Sequence, residues 1–303
     1  MRVIFPCVLL YFFVLEISAQ NLDSFDVTEE WLKKIESLAP DSLRFNNVSK
    51  KRILVFSKAT GFEHWIIPHN IEMLKILAQK TKGFEINVGY DIGNFTKENL
   101  ETYDAIILNN SNPQGPERDL FADLLKQNTS MSVQKINKVA PQYERNLIEY
   151  VANGGGLMIL HGAISVQNNS AEFSAMVGGS FDYHPKQQTI HLKEVDVYHP
   201  LVSAFNGQGL THIDEPYFFK QAYFEYNFRP LLYMSTRELD DLTKEPHDDL
   251  IYVAWIKRHG EGRVFYTAPS HNAQSLENPE LLQFFLDGIQ YVLGDLECDD
   301  TPL

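Results

Sequence analysis

Histidines and carboxylates carry the chemical potential of this sequence. The most informative placement is the run Gly154-Gly155-Gly156-Leu157-Met158-Ile159-Leu160-His161-Gly162-Ala163. It reads as a glycine turn, a short buried strand and a histidine at the abrupt strand end. Ligands of open α/β sheets collect outside the carboxyl ends of the strands, so His161 is well placed for chemistry. Related turns in hydrolases and amidotransferases carry a nucleophilic Ser or Cys; here no Ser or Cys takes that place. His64 has a similar setting, in the loop after an earlier apolar strand. Imidazoles take up and release protons near neutral pH, which suits acid–base work on a hydroxyl or on a carbon beside a carbonyl. Several histidines with a carboxylate are also the donor set of a zinc site with an open position. No H-E-x-x-H spacing selects that reading, so the cofactor stays unassigned, with zinc as the candidate ion. The triple glycine lacks both phosphate-loop patterns and is read as a helix-to-strand turn.

The elements that must position these residues follow from periodicity. Residues 27–38 repeat with helical spacing behind Thr28, a natural cap. Residues 52–56, 84–88, 104–108 and 157–160 are short apolar strands, separated by predicted helices over 68–79 and 143–152. Strands alternating with helices imply an α/β fold with a mostly parallel sheet. Beyond Gly178 the pattern changes: 189–195 alternates like an exposed edge strand, 231–236, 251–256 and 263–268 read as further strands, and 279–293 as a closing helix. Residues 114–141 form a polar insertion, weakly helical around Leu120 and Leu125, read as a surface excursion rather than a flap.

Composition bounds the partners. The chain has 303 residues, 44% of them hydrophobic, and a net charge of −14. That supports one large core and lacks the basic footprint of a nucleic-acid binder. Arg2, the apolar run 3–15 and Ile17-Ser18-Ala19 resemble a cleavable export signal, too short to span a bilayer comfortably. The expected destination is secreted or periplasmic, with no stable membrane span. Cys7 leaves with that signal, and Cys298 alone makes neither an internal disulfide nor a thiolate cluster. Glycosylation triplets at Asn47, Asn94, Asn109, Asn128 and Asn168 carry no weight on their own.

Six motifs in fixed order resemble the ThuA-like (trehalose-utilisation) family. They are Gly61-Phe62-Glu63-His64 with Ile67-Pro68; Gly155-Gly156 with His161-Gly162-Ala163; Val177-Gly178-Gly179-Ser180-Phe181 with His184-Pro185; Asp196 with His199-Pro200; Asp214-Glu215-Pro216-Tyr217; and Gly262-Arg263-Val264-Phe265-Tyr266-Thr267 with His271. The resemblance spans 52–294. It implies a flavodoxin-like three-layer sandwich of the class I glutamine amidotransferase type, without the amidotransferase cysteine, and a role in disaccharide or 3-keto-glycoside metabolism. It divides the chain into a signal (1–19), an N-terminal helical extension (20–50), the ThuA-like domain (51–295) and a tail (296–303). It also brings His184, Asp214, Glu215 and His271 to the edge occupied by His64 and His161.

On this reading His161, Asp214 and Glu215 are the catalytic candidates, and His64, His184, Tyr217 and His271 bind the substrate. Tyr217 serves as a platform for a sugar ring. His191, His212, His247 and His259 are read as surface residues. The expected partner is a small carbohydrate, with a homo-oligomer left open. Two other classes stand beside this reading: a non-catalytic sugar-binding module, and a metal-dependent hydrolase.

Overall fold

Apolar runs without a polar interruption become the innermost strands. The computed structural model describes residues 22–45, 50–128 and 130–303. The expected signal and the triplet at Asn47 lie outside the described residues. In chain order the strands are β1 (Lys51–Phe56), β2 (Phe84–Gly89), β3 (Ala105–Asn109), β4 (Gly156–Leu160), β5 (Ser180–Tyr183), β6 (Gln188–Glu194), β7 (Leu210–Asp214), β8 (Phe218–Lys220), β9 (Arg229–Ser235), β10 (Leu250–His259) and β11 (Gly262–Thr267). The helices are α1 (Glu29–Leu38), α2 (Ile67–Thr81), α3 (Lys97–Leu100), α4 (Leu120–Asn128), α5 (Val133–Ala152), α6 (Ala171–Val177) and α7 (Pro279–Val292).

The main sheet has the order β2-β1-β3-β4-β11-β10-β9-β6-β7, while β5 and β8 form a small separate ribbon. From β2 to β11 every neighbour is parallel; beyond β11 every neighbour is antiparallel. The parallel part is the flavodoxin-like order, with its switch point between β1 and β3. Its strands are covered on both faces, which is why β3 and β4 are buried at every residue. α7 packs on β4 and β11 and continues through α1 and α2; α5 and α6 pack on β11 and continue through α3 and α4. The result is a three-layer sandwich.

Three expectations change. α5 begins ten residues before the predicted 143–152 helix and carries Pro141 inside it. The ring deprives the carbonyl of Asn137 of its usual donor, and Asn137 is exposed, so water can replace it. The insertion is not a surface excursion either: Leu120, Phe121, Leu124 and Leu125 of α4 belong to the core. Its polar residues had masked a short amphipathic helix. Finally, β6 alternates like an edge strand but lies inside the sheet, and β7 is the edge. One-sided burial gives both positions the same alternation.

The β6–β7 hairpin is a limb. Only Lys193 and Glu194 of β6 pair with β9, whereas β6 and β7 pair from Gln188–Asp214 to Leu192–Leu210. This limb carries Asp214 and Glu215 back to the carboxyl edge of the parallel strands. No helix among the described residues is long and apolar enough to cross a membrane.

Candidate active site

The loop after β1 delivers His64. Its carbonyl accepts from the Ile67 amide at 3.1 Å, fixing it just before α2, which Pro68 opens. β4 ends at His161, whose φ of 45° is left-handed. Few residues with a Cβ hold that conformation, and those that do cluster at functional turns. Gly162 must follow: a Cβ there would lie 2.6 Å from both His64 Cε1 and Asn112 Oδ1. The Gly162 amide donates to Asn110 Oδ1 at 3.0 Å, so the end of β3 also holds the turn. β11 leads to Ala268 and His271, and the limb supplies Asp214 and Glu215.

These groups meet. His161 Nδ1 lies 2.7 Å from the Ala268 carbonyl, an acceptor, so that nitrogen carries a proton and Nε2 is the atom turned inward. His161 Nε2 lies 3.3 Å from Glu215 Oε2 and 3.3 Å from His271 Nδ1. His271 Nδ1 lies 3.2 Å from the same Glu215 oxygen. His64 stands edge-on to both rings, at centroid distances of 5.0 and 5.1 Å, and one nitrogen of His64 lies within 4.8 Å of the other three donor atoms.

Burial and mutual contact set the charges. Burial pushes the His64 pKa down to about 2, helped by His161 and His271, so His64 works as a neutral imidazole. Burial would raise the Glu215 carboxyl, but its hydrogen bonds to His161 and His271 outweigh this and hold it far below the usual range. His271 is driven down by burial and up by its bond to Glu215, and the net shift is upward.

The three inward donor atoms have the chemistry of a cation site. A single proton satisfies one edge of the triangle that they form; a divalent ion satisfies all three. With bonds of about 2.0–2.1 Å, donors around a tetrahedral zinc ion lie about 3.3–3.4 Å apart. The observed edges of 3.2–3.3 Å fit that spacing. Two histidines and a glutamate leave a fourth position for a substrate oxygen, and His64 faces the same cluster.

Asp214 sits behind this centre, buried, and does not face the open side. It accepts from the Glu215 amide at 2.7 Å and from the Ser270 and His271 amides at 3.4 Å each. It thereby ties the limb to the loop after β11. His212, read from sequence as a surface residue, is a correction. Its Nδ1 lies 3.4 Å from Asp214 Oδ2, and its side chain is 6% exposed. Burial holds its pKa down against the pull of Asp214. The signal for it was the two-residue spacing to Asp214, which puts both side chains on one face of β7.

His184 lies on the rim, with a side chain 35% exposed and Nδ1 3.8 Å from Glu215 Oε1. Tyr217 is a second correction. It is buried, with its ring 4.2 Å from His161 and 4.9 Å from Phe181 and stacked on His184. Its faces are occupied, so it buttresses His161 and offers no platform to a sugar. The exposed ring of the site is Phe62, 63% exposed and edge-on to His64 at 4.8 Å. Asn112 was also missed: its Nδ2 lies 3.4 Å from His64 Nδ1, and its Oδ1 accepts from Ser165.

Other clefts lack this chemistry. A cavity of about 430 Å³ is lined by Tyr226, Phe228, Tyr252 and Leu303. Another of about 330 Å³ at the opposite edge of the sheet is lined by the Lys51–Asp104 ion pair and holds no histidine. Cys298 is half-buried, and burial pushes its thiol up to about 12, so it is no nucleophile.

The comparisons agree with this architecture. A family model described as ThuA, trehalose utilisation, matches residues 52–292. No curated protein matches the chain at a significant level. The fold is similar to a ThuA-like protein from Bacteroides uniformis, 16% identical, TM-score 0.62, covering 82% of this chain and 95% of that one. A ThuA-like protein from Parabacteroides merdae is 18% identical, TM-score 0.56, covering 81% and 90%. A cytoplasmic protein from Salmonella typhimurium is 14% identical, TM-score 0.51, covering 80% and 98%. Likeness at these identities concerns the fold alone.

Proposed function

The chain belongs to the ThuA family, and on that premise we propose that it is an exported carbohydrate-processing enzyme whose histidine–glutamate centre transfers protons on a bound sugar. The observation that carries the reading is the triangle of His161 Nε2, His271 Nδ1 and Glu215 Oε2 at the carboxyl edge of the sheet. Those three residues would hold a divalent ion. Such an ion supplies Lewis acidity toward a sugar carbonyl or hydroxyl.

The protein's own groups divide the remaining work. Glu215 stays ionised across the working pH range, so it offsets positive charge and is a poor proton donor. His64 is neutral and too weakly basic to take up a proton at working pH; buried beside Phe62 and facing the cluster, it hydrogen-bonds and orients a sugar oxygen. Asn112 holds the His64 ring in place. His184, half-exposed and adjacent to Glu215, connects the site to solvent as a proton relay. Asp214 positions Glu215 and His271 through their backbone amides.

The test is turnover of a panel of glycosides and 3-keto-glycosides by the protein and its His161→Ala variant. Turnover lost in a folded variant supports the assignment. Unchanged turnover removes His161 from the mechanism, and binding without conversion by the unaltered protein makes it a sugar-binding module instead.

A further inference from the structure

The insertion after β3 places an arginine at the rim of the site. Arg118 has a left-handed φ of 48°, and its carbonyl accepts from the Asn168 amide at 3.3 Å. Asn169 Nδ2 is bonded to the carbonyls of Pro116 and Glu117, so the turn is stitched to the loop after β4. The guanidinium lies 4.7 Å over the Phe181 ring. Phe181 in turn touches Tyr217 at 4.9 Å and His184 at 5.9 Å, both of which contact the histidine–glutamate centre. Arg118 thus stands two rings away from that centre, reached through Phe181 and then Tyr217 or His184.

Among the described residues no carboxylate forms an ion pair or hydrogen bond with this guanidinium, in a chain with 40 acidic and 26 basic side chains. The acids of the surrounding loops are engaged elsewhere: Glu117 with Asn169, Glu144 with Gln167 and Ser170, and Asp182 with Lys244. A guanidinium over an aromatic face leaves N–H groups for another acceptor, and its fork matches a carboxylate.

We propose that Arg118 is a substrate-recognition residue and that the sugar is an acidic one, a ring bearing a carboxylate that Arg118 engages while the histidine–glutamate centre addresses the far side. The inference rests on the carbohydrate reading above and narrows it. A single cation in an acidic protein suits a monoanionic carboxylate; a phosphate dianion requires more positive charge than this rim provides.

Isothermal titration of the full chain with D-glucuronate, D-glucose and D-glucose 6-phosphate tests it, repeated on Arg118→Gln and Arg118→Lys. Glucuronate is expected to bind at least about tenfold more tightly than glucose. Arg118→Gln is expected to erase that preference without changing the melting temperature, and Arg118→Lys to retain part of it. Equal binding of glucose and glucuronate, a preference that survives Arg118→Gln, or preference for the phosphate overturns the inference and leaves the carbohydrate reading standing. Failure of all three sugars to bind overturns both.

Discussion

The two halves of the main sheet build the site in different ways. The parallel half, β2 to β11, places His64, His161 and His271 beyond the carboxyl ends of β1, β4 and β11, where buried strands set their positions. The antiparallel half contributes its carboxylates from β7, the farthest strand, through a limb joined to β9 at two residues only. The histidines are therefore fixed by the scaffold, and the acids are brought to them. What joins the halves is Asp214, one carboxylate accepting backbone amides from both sides. The lesson is that the donor triangle depends on the fold of the limb as much as on the identity of its members.

Breaking either half of the triangle has the largest expected effect. Glu215→Ala and His161→Ala each lower kcat by about 10²–10⁴-fold on whichever sugar is turned over, with far-ultraviolet circular dichroism unchanged. The seam comes next. Asp214→Asn keeps the shape but weakens the acceptor, and activity falls about 10–100-fold while the protein stays folded; an unaffected kcat shows that the limb docks without it.

The insertion that carries Arg118 is tested by Leu124→Ala, which removes a fully buried side chain of α4. Chemical denaturation should show a loss of about 2–5 kcal/mol; a change within error returns the insertion to the surface.

The scaffold half has its own pH signature. The His64 pKa falls from 6.5 to about 2 on folding, so only the unfolded chain gains a proton between those values. In metal-free protein this contribution is therefore complete above pH 6.5 and is lost as the pH falls, by up to about 1.4 kcal/mol per pH unit. His64→Gln should flatten that slope; an unchanged slope places the titration elsewhere. The smallest effect belongs to Cys298→Ser, which should leave kcat unaltered, since the thiol is remote from the triangle and protonated.

The parallel half was legible in the sequence because its strands are buried on both faces and show as apolar runs ending in polar residues. His161 and His64 stand out at those ends. The limb was not legible in the same way. β7 reads Leu210-Thr211-His212-Ile213-Asp214, with burial on one side only, so neither its strand nor the role of His212 emerges from periodicity. The acids came from a motif resemblance, and nothing in their spacing says that they fold back over four strands. Tyr217 shows the same limit: an aromatic next to a carboxylate suggests a ligand platform, but packing against His161, Phe181 and His184 fills its faces. Arg118 was hidden inside a stretch whose polarity resembled a loop.

Elemental analysis by mass spectrometry, on protein purified without a histidine tag, addresses the donor triangle most directly when kcat is measured on the same samples. Close to one divalent transition-metal ion per chain is expected, lost together with turnover in Glu215→Ala and His161→Ala. Substoichiometric metal in fully active protein, or full metal content in both variants, would contradict the account.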